Sequence, residues 1–351
     1  MNKKIDILFV LPSLKPGGAE RVVSFLAEAL HKNKLKVILL VIGYEKDKSY
    51  ETGSLEIVYL NKDRLLSSVF DIFKFIKKRN PKVVFSSIGH VNIFMGLLSY
   101  FLKKIRFIGR EASVISFRSK YGGYKSWFLN IFRGFAYKNL DALVCQSADM
   151  KNDLTQNYRI NSSKLYVIGN PITRQFKQLN KKLNREVKII KFITVGRLTE
   201  VKGHSRIISG LSQISNYDFH YTIVGDGKLK NEIRNQIKNY NLSNKVTFIN
   251  YTSSVLEEIL KNDYFIQGSF VEGFPNAVLE SCSVGVPVIA FRCPGGTKDV
   301  IQNDLNGFLV SSQVEFESLL VDLKKKKIIN KDLIIDSVMD KFDSKFIIEK
   351  Y

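Results

Sequence analysis

The run Ser269-Phe270-Val271-Glu272-Gly273-Phe274-Pro275-Asn276-Ala277-Val278-Leu279-Glu280 sets two carboxylates on either side of a Gly-Phe-Pro-Asn turn. Pro275 and Asn276 favour helix starts. A helix is therefore expected from Ala277 to Val284, its free amides and positive dipole end facing the preceding loop. Glu280 then falls in the second turn and Glu272 in the loop. Eight helical positions would hold the two about 12 Å apart along an axis, which argues against the cooperating carboxylates of a hydrolase. Each suits hydrogen bonds from a different hydroxyl of one long ligand. Gly196-Arg197-Leu198 with Lys202-Gly203 places two cations five residues apart. Arginine holds phosphate oxygens bidentately and lysine supplies a movable point charge. A diphosphate needs such charge as its leaving-group charge grows; an ordinary basic loop is the plainer alternative. Gly17-Gly18 is either a tight turn or a place where backbone approaches a phosphate or sugar beside a helix start. Neither G-x-G-x-x-G nor a P-loop ending accompanies it.

Each of these segments needs a strand ahead of it and a helix behind. Ile5–Leu11 is a short apolar run that leads through the glycine pair to an amphipathic segment, Ala19–His31, and a second apolar run, Lys36–Ile42. Lys191–Val195 leads into Gly196-Arg197, a helical stretch from about Gly203, then Tyr221–Val224 before Gly225-Asp226-Gly227. Strand, glycine turn, helix, strand is the unit of a parallel sheet, and it occurs in both halves. Further strands are expected at Val83–Ser86, Phe107–Ile108, Ala142–Cys145, Val246–Ile249, Tyr264–Ile266 and Val288–Phe291. Asn170-Pro171 closes the first array, and Thr173–Glu186 is polar, lysine-rich and without periodicity. The expected fold class is α/β, with two doubly wound, Rossmann-like domains facing a central cleft and ligands at the carboxyl ends of the strands. The expected domains are 1–172, a linker over 173–186, and 187–339.

Composition narrows the classes further. A chain of 351 residues is too long for one small core, and 45% hydrophobic content argues against disorder. Three cysteines make neither a disulfide framework nor a zinc pattern. The opening apolar run is short and interrupted by Asp6, unlike a signal peptide. No uninterrupted apolar stretch of membrane-spanning length exists. Net charge is +21, with 28 basic and 13 acidic residues through Asn170 and 26 and 20 thereafter. Such a field attracts nucleic acid, phosphorylated ligands or an anionic membrane surface, unless the lysines only solvate the surface. A nucleic-acid-binding protein lacks support, because no helix-turn-helix, zinc-finger or RRM signature is present.

The SFVEGFPNAVLES stretch, with Glu272 and Glu280 in an E-x7-E pattern, resembles glycosyltransferase family 4, retaining enzymes of GT-B fold. Gly17-Gly18-Ala19-Glu20-Arg21 matches the usual N-terminal loop and Asn170-Pro171-Ile172 the domain junction. VGRLTEVKGH, IVGDGKL and GVPVIAFRCPGG follow in the family's order, so the resemblance spans nearly the whole chain. It implies a nucleotide-sugar donor held by the C-terminal domain. Arg197 and Lys202 would grip the diphosphate, Glu280 the ribose hydroxyls and Glu272 the donor sugar. Gly273, Phe274, Pro275 and Asn276 would line the sugar and phosphates, partly through backbone amides, and Gly17 and Gly18 would close over the donor. The catalytic residues implied are Glu272, Arg197 and Lys202. No Asp-x-Asp motif is present, which suits metal-independent transfer without cofactors. Same-face attack with retention, and residues 340–351 as a C-terminal helix packing back toward the first domain, also come from the resemblance.

The acceptor side is less constrained. Many relatives carry a histidine where this chain reads Phe107-Ile108-Gly109-Arg110-Glu111-Ala112-Ser113. His90 is either its substitute or a structural hydrogen-bonder; Arg110 and Glu111 either serve the acceptor or pair with each other. Ser113–Lys138 interleaves aromatics with cations. This suits an interfacial element on an anionic bilayer, or else a core helix with a basic outer face. The combined expectation is transfer of a hexose or N-acetylhexosamine to a saccharide acceptor in cell-surface polysaccharide synthesis. The donor expected first is UDP-linked and second GDP-mannose; the acceptor is expected to be polyprenyl-diphosphate-linked. Such an enzyme would be cytoplasmic and peripheral on the inner face of the cytoplasmic membrane. The rivals are a nucleotide-sugar epimerase on a related fold, the nucleic-acid-binding protein considered above, and a silent transferase subunit.

Overall fold

The structure, a computed structural model, describes residues 5–121, 132–174, 189–323 and 329–351. The chain forms two units, Met1–Thr173 with Ser344–Tyr351, and Arg174–Asp343. Of the expected linker, 175–186 lies outside the described residues.

The first unit holds a seven-stranded sheet. Its strands are β1 (Ile7–Leu11), β2 (Val37–Val41), β3 (Glu56–Tyr59), β4 (Val83–Ser87), β5 (Arg106–Arg110), β6 (Ala142–Cys145) and β7 (Leu165–Val167). The order is β3-β2-β1-β4-β5-β6-β7, all parallel. Ile7 pairs with Val37 on one side and Val83 on the other. Leu8, Phe9, Val10 and Leu11 are buried, because a central parallel strand is covered on both faces and reads as a continuous apolar run rather than an alternation. Helices α1 (Gly18–Lys32), α2 (Val69–Arg79) and α3 (Gly89–Ser99) follow β1, β3 and β4. In α1 the buried residues Val22, Val23, Leu26, Ala27 and Leu30 form one helical stripe.

The second unit holds β8 (Ile190–Val195), β9 (Phe219–Val224), β10 (Val246–Ile249), β11 (Tyr264–Gln267), β12 (Val288–Phe291) and β13 (Gly307–Val310). They are parallel in the order β10-β9-β8-β11-β12-β13. Helix α4 (His204–Gln213) follows β8, α5 (Asn276–Ser283) follows β11, and α6 (Lys331–Phe342) packs on α5. Strand order reverses at β1 in the first sheet and at β8 in the second, so the loops after β1 and β4, and after β8 and β11, flank a topological switch point.

The terminal helix differs from expectation. Residues Asp340–Phe342 are the last turn of α6, and the helix is interrupted at Asp343 before α7 (Ser344–Ile348). Phe342 is anchored against Phe274 in the second unit, ring centroids 5.3 Å apart. Ile347 is buried and Tyr351 lies 5.9 Å from Phe85 in the first unit. Two separate anchors impose two helices.

Candidate active site

The loop after β8 begins with Gly196, whose amide donates to the Val224 carbonyl (2.9 Å), and is pinned by fully buried Leu198. Arg197 stands exposed. Lys202 ends the 3-10 turn Glu200–Lys202, and Gly203 follows at φ 60. A side chain there would be excluded twice, since a Cβ would lie 1.8 Å from the Gly268 carbonyl oxygen. This close approach joins the loop to the one after β11, and the Phe270 amide adds a hydrogen bond to the Val201 carbonyl (2.8 Å).

Glu272 sits in that second loop, 8% exposed. Its amide donates to the Pro294 carbonyl (3.0 Å), and the Gly296 amide donates to the Gly273 carbonyl (3.0 Å). A third loop, after β12, is thereby tied in. Its Gly295 has φ 119, and a Cβ there would fall 1.8 Å from the Glu272 carbonyl oxygen. Oε1 of Glu272 accepts from Lys202 Nζ (2.6 Å) and Ser269 Oγ (2.5 Å), with Gln267 Nε2 at 3.4 Å. Thr297 Oγ1 in turn donates to Gln267 Oε1 (2.9 Å). Charge-assisted bonds of this kind are the strong ones, so the carboxylate is held by donors from three loops or strand ends. Cys293 lies beside this group; burial and then Glu272 push its thiol up to about 11, so it is a neutral thiol at physiological pH.

Pro275 caps α5, and Asn276 is its first residue. Phe274 is buried, and Glu280, at 5% exposure, lies in the second turn. Its Oε1 faces Nη1 of Arg174 at 3.9 Å, an ion pair longer than a hydrogen bond. The residues expected at the donor, Arg197, Lys202, Glu272, Gly273, Phe274, Pro275, Asn276 and Glu280, therefore all lie on the loops after β8 and β11 or on the helix that follows. Those loops flank the switch point of one sheet. Lys202 and Glu272 are in direct side-chain contact, and the Asn276 amide donates to the Phe274 carbonyl (3.0 Å).

In the first unit Gly17 precedes α1. The Tyr50 phenol accepts from the Gly17 amide and donates to the Gly17 carbonyl (2.8 Å). Gly18 opens the helix. His90 lies exposed in the first turn of α3, just after Ile88, a β-branched residue held at φ 77. The expectation for Arg110 needs correction. Arg110 is fully buried, with Nη2 on Asn170 Oδ1 (2.5 Å) and Nη1 3.5 Å from Ser87 Oγ. Glu111, also buried, accepts from the Tyr137 hydroxyl and from the Ala112 amide (2.9 Å). Each has its own interior partner, so Arg110 ties β5 to the chain before Pro171 rather than reaching out to an acceptor.

Of the aromatic and basic run Ser113–Lys138, residues 122–131 lie outside the described residues. In the part described, Phe117 and Tyr121 are exposed and Lys120 stacks over Phe117 (5.1 Å). Sequence reading passed over a more exposed pair, Leu66 at 84% and Phe70 at 87%. They lie four residues apart, Leu66 in the 3-10 turn Leu65–Ser68 and Phe70 in the first turn of α2, where it is on the side away from buried Ile72 and Ile76. Lys74 and Lys77 continue the Phe70 face by helical spacing. Among the described residues no helix is long and apolar enough to cross a membrane.

Residues 16–176 match the family Glycosyltransferase Family 4, and 175–327 match Glycosyl transferases group 1. The chain is 27% identical over 335 residues to the Campylobacter jejuni N-acetylgalactosamine-N,N'-diacetylbacillosaminyl-diphospho-undecaprenol 4-alpha-N-acetylgalactosaminyltransferase, covering 90% of this chain and 89% of that one. It is 23% identical to the Escherichia coli UDP-Gal:alpha-D-GlcNAc-diphosphoundecaprenol alpha-1,3-galactosyltransferase, covering 76% and 72%. Among solved structures, Anabaena HepE in complex with UDP-glucose superimposes with a TM-score of 0.81 at 17% identity, covering 99% of this chain and 98% of that one.

Proposed function

Because the chain belongs to the glycosyltransferases of family 4 and group 1, matched in succession across 16–327, and has their GT-B fold, we propose that it moves a hexose or N-acetylhexosamine from UDP to a lipid-linked saccharide, with retention and without a divalent cation. The observation that carries this reading is the Lys202–Glu272 contact, which sets a cation and a buried carboxylate side by side at the switch point of the second sheet. Lys202 and exposed Arg197 neutralise the departing diphosphate. Glu272 accepts hydrogen bonds from the sugar and fixes its rotation; Glu280 does the same for the ribose. The flexible lysine stem lets the ammonium turn from Glu272 to a phosphate oxygen.

In the transfer, the acceptor hydroxyl oxygen bonds to the anomeric carbon as the carbon–diphosphate bond breaks on the same face. The hydroxyl proton passes to a phosphate oxygen. Helix α5 directs its positive end toward the same loop, so protein charge takes the role that a metal has in other transferases.

The C. jejuni and E. coli relatives are both named for undecaprenol-linked acceptors, and this supports a polyprenyl-diphosphate acceptor in surface-polysaccharide synthesis. Exposed Leu66, Phe70, Phe117 and Tyr121 among cations support work at an anionic membrane surface. We place the enzyme at the inner face of the cytoplasmic membrane.

A panel of UDP- and GDP-sugars in thermal-shift assays tests the donor. Turnover with polyprenyl-diphosphate saccharides follows, in EDTA and with the product anomer assigned by NMR. UDP-sugars are expected to raise Tm in wild type, and Glu280→Ala and Arg197→Ala each to abolish most of that rise. Undiminished shifts in both variants remove the site assignment. Turnover lost in EDTA and restored by magnesium removes metal independence, and an inverted anomer removes retention.

A further inference from the structure

Arg206, in the first turn of α4, does not belong to any motif above. Its Nε donates to the Gly268 carbonyl (2.7 Å) and its Nη2 to the Ser269 carbonyl. The guanidinium carbon lies 4.1 Å from the Phe270 ring centroid and 3.7 Å from that of Phe291, the last residue of β12. A planar cation thus bridges two successive carbonyls just past the end of β11, where the strand ladder has stopped, and packs against two aromatic rings. Lysine has no such fork.

The second carbonyl belongs to Ser269, whose hydroxyl donates to Oε1 of Glu272 (2.5 Å). That oxygen also takes the Lys202 ammonium. Fixing the Ser269 peptide therefore fixes the direction of a hydroxyl that holds the carboxylate. The loop has other supports, namely the Phe270 amide on Val201 and the Glu272 amide on Pro294. Loss of Arg206 leaves the loop in place and loosens chiefly the Ser269 peptide.

We propose that Arg206 is a positioning residue for recognition of the donor sugar, acting through Ser269 on Glu272. The proposal rests on the assignment of Glu272 to the sugar and deepens it. Its consequence is selective: Arg206 governs the extra affinity a nucleotide sugar has over the free nucleotide, because the nucleotide has holders outside this chain of contacts, Arg197 and Glu280.

The test compares wild type, Arg206→Gln, Arg206→Lys, Ser269→Ala and the Arg206→Gln/Ser269→Ala double variant. Calorimetry measures UDP and the UDP-sugar that stabilises wild type, and kinetics separate kcat from KM. UDP affinity is expected to stay within about threefold, while UDP-sugar affinity falls about tenfold or more and kcat drops with it. Arg206→Lys is expected not to rescue, and Ser269→Ala to reproduce the loss with the double variant no worse than either single. UDP and UDP-sugar weakening in parallel with Tm, an unchanged preference for UDP-sugar in Arg206→Gln, or additive single effects would each overturn the proposal. If Arg206→Gln does not fold, Ser269→Ala alone decides, since a retained preference there breaks the chain of contacts. Wild type that binds no nucleotide sugar defeats the functional reading itself, a result distinct from all of these.

Discussion

Lys202 Nζ lies 2.6 Å from Oε1 of Glu272, with the lysine 29% and the glutamate 9% exposed in their side chains. The glutamate is the buried partner, and its Oε1 is held by that cation and by the Ser269 hydroxyl. Lys202→Met keeps much of the stem and removes the charge. It is expected to destabilise the protein by about 1–2 kcal/mol, less than a fully buried pair because the lysine end is partly solvated. It should also lower kcat by about 10²–10³, as removal of a transition-state donor does. Adding Glu272→Gln should recover stability without recovering turnover. Denaturant melts and single-turnover rates check both; recovery of turnover in the double variant would mean that the cation serves only to neutralise Glu272.

His204 gives the second unit an acid-sensitive point. The ring is 2% exposed at the start of α4, with Nε2 3.4 Å from the Arg197 carbonyl oxygen. Burial pushes its imidazole down to about 4, and the nearby Lys202 charge works in the same direction. The folded state therefore binds the proton more weakly than the unfolded chain, whose histidine titrates near 6.5. Stability is complete above that value and declines as pH falls from about 6.5 toward about 4, by about 3 kcal/mol over the whole window. His204→Gln should remove this part of the slope. Urea melts at pH 7, 6 and 5 decide: equal slopes in variant and wild type refute the assignment.

Much of this site was legible in sequence because its chemistry is local. Glu272 and Glu280 share one stretch, Arg197 and Lys202 another, and both follow apolar runs that a buried parallel strand requires. β3, β7 and β13 escaped notice. β3 and β7 are edge strands with exposed residues such as Glu56, Tyr166 and Val167, so they show no continuous apolar run. Contacts between loops were illegible. Gly203 meets Gly268 across 65 positions, and Arg206 looks like any polar residue of an amphipathic helix until Gly268 and Phe270 are folded over it. Arg110 misled for the opposite reason: a charge at the end of a strand reads as a ligand, but Asn170, sixty residues on, takes it inside.

The basic surface of the first unit yields the last prediction. Leu66 and Phe70 expose more of themselves than any other large apolar side chains described; Leu66 stands in the 3-10 turn Leu65–Ser68 and Phe70 in the first turn of α2, with Lys74 and Lys77 on the following turns. Lys77 also stacks on Phe73 at 5.1 Å. Apolar side chains at one end and ammonium groups along the same face suit insertion at headgroup depth with the charges among lipid phosphates. Each lysine near such a surface is worth about 1 kcal/mol. Leu66→Ser/Phe70→Ser should weaken flotation with vesicles of anionic lipid about tenfold, and Lys74→Gln/Lys77→Gln should weaken it similarly while making the remainder less sensitive to salt. Neither pair lies in the second unit, so UDP-sugar affinity should stay at the wild-type value. The contrast between lipids matters as much as the variants: binding that is equal on neutral and anionic vesicles, or unchanged in both double variants, would show that this face of α2 is not what meets the membrane.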